Sequence, residues 1–315
     1  MEYRQLGQTG IEVSRLCFGA LTIGPLQANL PLDRGAAVLR YALELGVNFI
    51  DTAQLYRTYP YIRQALRGWD KPVVIASKTY AYTREGAAAA LEEARRELDR
   101  DVIDIFLLHE QESIHTVRGH WEAVEYLLEA REKGLIREVG LSTHRIAGVE
   151  AALAFPELTV IHPLYNLAGI GIGDGDAAAM AEAISRAAAA GKGIYSMKPL
   201  AGGNLLSRRE EALQFVLSTP GIAAVAIGMQ SEAEVEYNLA FFSGQTPPHE
   251  AAARISSQPR RLHIEDWCQG CGRCVERCQQ QALYLQGEKV EVDRNKCLLC
   301  GYCSAVCPDF CLKIF

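Results

Sequence analysis

An eight-stranded parallel βα-barrel followed by a small cysteine-rich α+β domain is the fold class that the sequence predicts. Three observations predict it. From residue 1 to about 243, short β-rich runs alternate eight times with helical stretches, a pattern that closes into a right-handed (β/α)8 barrel. From 244 to 262, in QTPPHEAAARISSQPRRL, prolines, serines and basic residues replace that rhythm with no strong periodicity, as in a linker. From 263 to 315 the chain carries nine of its ten cysteines, all between positions 268 and 311.

The barrel elements follow in order. GQTG (7–10) reads as a hairpin turn closing the barrel floor before the first strand. Strands are expected at Arg15–Phe18, Asn48–Asp51, Val73–Ser77, Ile103–Leu108, Glu138–Ser142, Thr159–His162, Gly193–Met197 and Ala223–Ile227. Helices are expected at Arg34–Leu45, Tyr59–Arg67, Arg84–Leu98, His120–Lys133, Ile146–Leu153, Ala177–Ala190, Arg208–Leu217 and Glu232–Phe241. Val38, Tyr41, Ala42 and Leu45 fall at helical intervals. Asp33 and Thr83 read as N-caps, and Gly46 and Gly134 as C-terminal stops. Alanine runs such as Ala87–Ala90 and Ala187–Ala190 read as close-packing, high-propensity helix. GIGIGDGD (169–176) reads as a flexible substrate-side loop, since its acidic pair would repel a pyrophosphate.

Composition narrows the function classes. A chain of 315 residues, 49% hydrophobic, can bury a large core plus a small second domain. A net charge of −6 argues against a nucleic-acid surface. Neither a signal peptide nor an apolar run of membrane-spanning length is evident, so no membrane association and a cytoplasmic location are expected. Clustered cysteines without a secretory signal favour metal over disulfide.

Three apolar runs end in chemistry-bearing residues: Asp51 after Val47–Ile50, Lys78 after VVIAS, and His109 after IDIFLL, with Tyr56 just beyond the first. In a barrel the strand ends converge, so these four are expected to meet. A phenol titrates near ~10. A lysine ammonium held by a carboxylate is expected to lower that pKa, and a histidine within reach can orient a carbonyl oxygen. Such a group can protonate an oxyanion as hydride reaches the carbonyl carbon. Taken singly, each residue has an ordinary reading: Asp51 a helix cap, Tyr56 half-buried core, Lys78 solvated, His109 satisfied in a loop. Their order at successive strand ends favours the chemical one.

At these residues the chain resembles the aldo-keto reductases. The resemblance includes YRQLGQTGIEVSRLCFGA (3–20), GLIREVGLSTH (134–144), HPLYN (162–166), GKGIYSMKPLAGG (191–203) and AAVAIGMQSEAEVEYN (223–238), and it covers about residues 1–243. It implies a TIM barrel that exchanges hydride between NAD(P)(H) and a carbonyl or alcohol, with Asp51, Tyr56, Lys78 and His109 as the catalytic tetrad and Tyr56 as general acid/base. It places the cofactor across the barrel mouth, on Asp51, Ser142, His162, Met197, Lys198, Pro199, Leu200, Gly228, Gln230, Ser231, Glu234 and Asn238. Three departures stand out. His162 replaces a frequent Gln, Met197 replaces a frequent stacking aromatic, and Glu234 replaces the arginine that many NADP-dependent members turn to the 2′-phosphate. A carboxylate there would repel that phosphate, so NAD(H) is favoured over NADP(H).

The tail repeats itself. Cys268, Cys271, Cys274 and Cys278 recur 29 residues later as Cys297, Cys300, Cys303 and Cys307, with Gly272 matched by Gly301 and Pro308 after the second set. C-x₂-C-x₂-C-x₃-C twice is the spacing that lets three thiolates grip one cubane while the fourth crosses to the other. Structural zinc uses four ligands in two pairs and fits less well. The tail resembles a bacterial two-cluster ferredoxin. That implies two [4Fe-4S] clusters, one on Cys268, Cys271, Cys274 and Cys307, the other on Cys297, Cys300, Cys303 and Cys278. Cys311 aligns with Ala282 and reads as a small buried residue, as Cys17 reads as barrel core.

Three functions are open at this point. The first is a nicotinamide-dependent carbonyl or alcohol oxidoreductase linked to an electron-transfer domain. The second is a ferredoxin-coupled reductase, with a flavin as the adaptor between one- and two-electron chemistry and a redox protein such as ferredoxin as partner. The third is a non-enzymatic redox sensor, against which the retained tetrad argues. Substrate identity lies in variable loops, with the ferredoxin-like segment expected to form one wall of the pocket.

Overall fold

The computed structural model describes residues 1–315. A hairpin of β1 (Tyr3–Gln5) and β2 (Glu12–Ser14) opens the chain. Eight parallel strands follow: β3 (Leu16–Gly19), β4 (Phe49–Asp51), β5 (Val74–Thr79), β6 (Ile103–Leu108), β7 (Ile136–Thr143), β8 (Val160–Pro163), β9 (Gly193–Met197) and β10 (Ile222–Gly228). They close in sequence order, with β10 pairing β3. Strands β4, β5, β6, β8 and β9 are buried along their whole length, which is why they read as continuous apolar runs rather than alternating ones.

Outside the strands lie α1 (Leu32–Glu44), α2 (Tyr59–Leu66), α3 (Arg84–Leu98), α4 (Ile114–Gly119), α5 (Trp121–Glu132), α6 (Ile146–Ala154), α7 (Ala177–Ala189), α8 (Arg209–Leu217) and α9 (Glu232–Phe242). Thr83 caps α3 by accepting from the Gly86 amide at 3.1 Å, as its position predicted. Asp33 does not cap α1. It lies inside the first turn and accepts from Gln64 Nε2 at 2.6 Å, Pro31 holding the cap position. Gly46 and Gly134 take left-handed φ values of +98° and +74° just after α1 and α5, the conformation that stops a helix at little cost only for glycine. The short α4 was not expected; Ser113 starts it with a capping box on Thr116.

The barrel has two cores. The larger lies between strands and helices, and the smaller fills the barrel itself with Cys17, Phe49, Ala76, Leu107, Val160 and Tyr195. Leu6, Ile11 and Val13 of the hairpin belong to that inner core, so β1 and β2 plug the floor and leave the strand C-termini as the open face.

The stretch read as a linker contains a two-turn helix, α10 (His249–Ser256). Its buried Ala251 and Ile255 meet Ala233 and Tyr237 of α9, so tertiary contact supplies an order that prolines and a weak apolar pattern did not announce. The tail pairs β11 (Leu262–Ile264) with β14 (Leu312–Ile314) and β12 (Leu283–Gln286) with β13 (Lys289–Val292), with α11 (Arg273–Arg277) and a 3₁₀ turn at Ser304–Val306 packed between. The 29-residue shift carries α11 onto that turn and Leu283 onto Leu312. No helix is long and apolar enough to cross a membrane.

Candidate active site

Strand ends bring the four expected residues together. Asp51 ends β4, and Lys78 lies one residue before the end of β5. His109 follows β6, and Tyr56 lies in the 3₁₀ turn after β4. Lys78 is fully buried and donates to Asp51 Oδ2 at 2.8 Å and to the Thr52 carbonyl at 2.7 Å. The Tyr56 hydroxyl lies 3.4 Å from His109 Nε2. The Lys78 ammonium stands over the Tyr56 ring, 4.9 Å from its centroid.

The electrostatics differ from the expectation in one respect. Burial, followed by the Asp51 carboxylate, holds the Tyr56 phenol well above its ordinary range. The reason is geometric: Lys78 spends its hydrogen bonds on Asp51 and Thr52 rather than on the phenol oxygen, so the cation meets a ring face and not a developing phenolate. Tyr56 is therefore held as a neutral phenol. His109 is held well below the usual histidine range by burial and then by Lys78 and Lys198, and its Nδ1 has no protein partner. It is a neutral imidazole stacked against Tyr80 at 4.3 Å.

Tyr195 was missed. Its hydroxyl donates to Asp51 Oδ1 at 2.9 Å, and its ring stacks on His162 at 3.9 Å. The sequence held a signal: Tyr195 and Met197 are two apart in β9 and so share a face of the strand. Asp51 thus answers to Lys78, Tyr195 and His162, whose Nε2 is 3.5 Å away. Burial brings His162 down to about 4.

The expected dinucleotide contacts fall in two groups. Near the tetrad, Ser142 is buried and accepts from the Glu110 amide at 2.9 Å. Met197 packs with Leu164 and Phe310, and Lys198 donates to His144 Nε2 at 2.9 Å. Pro199 and Leu200 continue that loop, and Leu200 packs at the edge of the same cluster. At the far end, Ser231 caps α9 and accepts from Gln258, while Glu234 Oε2 accepts from the Gln230 amide at 2.6 Å. Glu234 Oε1 is 3.7 Å from Arg260, a cation from the lead-in to the tail. Gly228 admits Thr22 so closely that a Cβ would lie 2.0 Å from it. Asn238 Oδ1 and Arg260 Nη2 are buried without hydrogen-bond partners, which suits a polar ligand at this end.

In the tail, Cys268, Cys271, Cys274 and Cys307 line one small cavity. Cys307, 29 residues downstream of Cys278, stands with three cysteines of the first repeat. No three of the protein's His, Cys, Asp or Glu side chains converge tightly enough to hold a single ion; these sulfurs surround a space instead. Burial, then Cys274 of the first set and Cys300 and Cys297 of the second, push the Cys303 thiol up. The amides of Ala282 and Cys311 donate to Cys278 Sγ and Cys307 Sγ at 3.3 and 3.2 Å. Cys311 therefore does for Cys307 what Ala282 does for Cys278, in keeping with their alignment. The cavity and its thiols fit a cubane cluster.

Comparison with known proteins agrees with both halves. The model of the aldo/keto reductase family matches residues 15–212, and that of the 4Fe-4S dicluster domain matches residues 267–311. The aldo-keto reductase YhdN of Bacillus subtilis is 28% identical over 183 residues, covering 53% of this chain and 54% of that protein. Pyridoxine 4-dehydrogenase of Escherichia coli is 32% identical over 176 residues, covering 50% and 62%. The chain thus spans little more than half the length of these curated relatives. Among solved structures, one from Pseudomonas aeruginosa assigned as an aldo-keto reductase superposes with a TM-score of 0.67 at 27% identity, covering 77% of this chain and 94% of its own.

Proposed function

This chain belongs to the aldo/keto reductase family and carries a C-terminal 4Fe-4S dicluster domain, and from that premise we propose that it interconverts a small carbonyl compound and its alcohol with Tyr56 as proton donor. The observation that carries the reading is the meeting of Asp51, Lys78, Tyr56 and His109 at one barrel mouth. A bound nicotinamide supplies the hydride. The Tyr56 hydroxyl gives its proton to the carbonyl oxygen, and a phenol kept neutral by burial suits the reducing direction. His109, neutral and with Nδ1 free, orients that oxygen without carrying a competing charge. Lys78 and Tyr195 keep Asp51 fixed beside the Tyr56 ring.

Asp51, Ser142, His162, the loop Met197–Leu200 and the segment Gly228–Asn238 are the residues we assign to the dinucleotide. NAD(H) is the favoured coenzyme, since Glu234 stands at the ribose end and engages Arg260. We assign one cluster to Cys268, Cys271, Cys274 and Cys307 and the other to Cys297, Cys300, Cys303 and Cys278. That Phe310 shares one apolar cluster with Met197 favours a second reading: the clusters exchange electrons with a group held at the mouth, a flavin being the adaptor, and a redox protein is the outer partner. Turnover with NAD(P)H alone supports the first reading; turnover with dithionite and no nicotinamide supports the second.

The test of the chemistry is Tyr56→Phe. Turnover of a true carbonyl substrate should fall about 10²–10⁴-fold while dinucleotide binding and iron content persist. Equal turnover in variant and wild type removes Tyr56 from the mechanism.

A further inference from the structure

The cavity of the first cysteine set and the barrel mouth share a wall one strand thick. Asp309, Cys311 and Leu312 line the cavity, whereas Phe310 and Lys313 turn the other way. Phe310 packs with Met197 and Leu164 of the barrel. At Gly202 an added Cβ would lie 2.6 Å from Lys313 Cδ, and at Gly203 1.8 Å from the Ile314 carbonyl oxygen. The barrel loop leaves room for this segment by having no side chains there.

Lys313 is 5% exposed. Its ammonium bonds the Phe310 carbonyl and stands over the Phe310 ring, 3.1 Å from the centroid, and no carboxylate lies within ion-pair distance of it. Lys198 approaches the same ring at 4.9 Å, so two cations flank one aromatic ring at this buried contact. Glu265, near both, is engaged by His263 at 3.2 Å. Burial and then Lys198 hold Lys313 well below the ordinary lysine range, with Glu265 opposing them, because a buried cation with no carboxylate at contact is costly. Beyond Glu265, the negative groups that act on Lys313 are Cys311 and Cys307, and Cys307 with its three partners holds roughly two negative charges when loaded with an oxidised cubane. The second set meets the barrel differently. Its Gly301 and Ser304 rest on Asn204, a neutral amide, with Asn204 Nδ2 donating to Ser304 Oγ at 3.0 Å.

We propose that Lys313 is the built-in counter-charge of the first cluster, so that the cluster on Cys268, Cys271, Cys274 and Cys307 is reduced at a higher potential than the one facing Asn204. This rests on the ligand sets assigned above. A nearby fixed positive charge favours the more negative, reduced state, and the low-dielectric wall makes the effect local. The ammonium also places the more easily reduced cluster on the barrel side, behind Phe310.

The experiment is an EPR-monitored redox titration of the full, iron-loaded chain. Cys307→Ser identifies which step belongs to the first cluster. In Lys313→Met that step alone should move to lower potential, while Lys313→Arg should stay near wild type. Glu265→Gln, which removes a negative charge, should move the same step upward, and it carries the test if Lys313→Met does not load iron. Unchanged midpoints in Lys313→Met and Glu265→Gln overturn the proposal, as does an equal shift of both steps. A Cys307→Ser protein that keeps both steps overturns the ligand sets instead.

Discussion

The barrel mouth and the cysteine-rich tail both bury charge, but they balance it differently. In the barrel, Lys78 finds its carboxylate within the chain, at 2.8 Å, and Asp51 has Tyr195 and His162 as further partners. In the tail, Lys313 is nearly as buried and has only a carbonyl and a ring face. The first site is complete in protein atoms. The second is arranged around a charge that its thiols would bring. A barrel site of this kind should survive the loss of iron, whereas the tail and its contact with the barrel should not.

The strongest way to break that contrast is Lys78→Met. It strands the Asp51 carboxylate in a buried site, and breaking such a pair costs about 3–5 kcal/mol. Unfolding by denaturant should show that loss together with lost turnover. A fully stable variant would mean that Asp51 takes up a proton instead, and its activity at low pH would then report it.

Cys307→Ser addresses the other region. Because Cys307 stands with Cys268, Cys271 and Cys274, the variant should keep about four of about eight irons and lose the cluster of the other repeat. If it lost the cluster of Cys297, Cys300 and Cys303 instead, the two sets would not interlock.

A smaller effect sharpens the account of the barrel. His162 titrates at about 4 in the fold, against 6.5 for a free side chain. The unfolded chain therefore binds the proton first. This group's stability contribution is full above about pH 6.5 and is lost as pH falls to about 4, on the order of 3 kcal/mol in all. His162→Gln should flatten that part of the stability profile; an unchanged profile would place the loss elsewhere.

The smallest expected effect lies where the tail's lead-in meets the barrel. Glu234→Gln frees Arg260 at the end we assign to the ribose and should shift preference toward NADP(H) by about tenfold, near 1.4 kcal/mol. Tighter binding of NADPH than NADH by the unmodified protein would sink the assignment of NAD(H).

Much of this was legible in advance, and particular residues show why. Strands buried on both faces are continuous apolar runs, so β6 and β9 were placed residue for residue. A residue that ends such a run sits at the mouth, so Asp51, Lys78 and His109 could be read as neighbours. Tyr195 was hidden because it lies within its run rather than at its end. Helix α10 was hidden because its stability comes from Ala233 and Tyr237 of another helix.

By itself, then, the order of residues determined the barrel, the four side chains at its mouth and the doubled cysteine motif, because each follows from local periodicity or fixed spacing. The direction in which each charge is balanced was decided by tertiary structure alone. Whether Lys78 meets a phenol oxygen or a ring face, whether Glu234 stands open or against Arg260, and whether Lys313 has a partner depend on which distant backbones approach within a few ångströms. Electrostatic interaction in a dry interior falls off with those distances, not with separation along the chain.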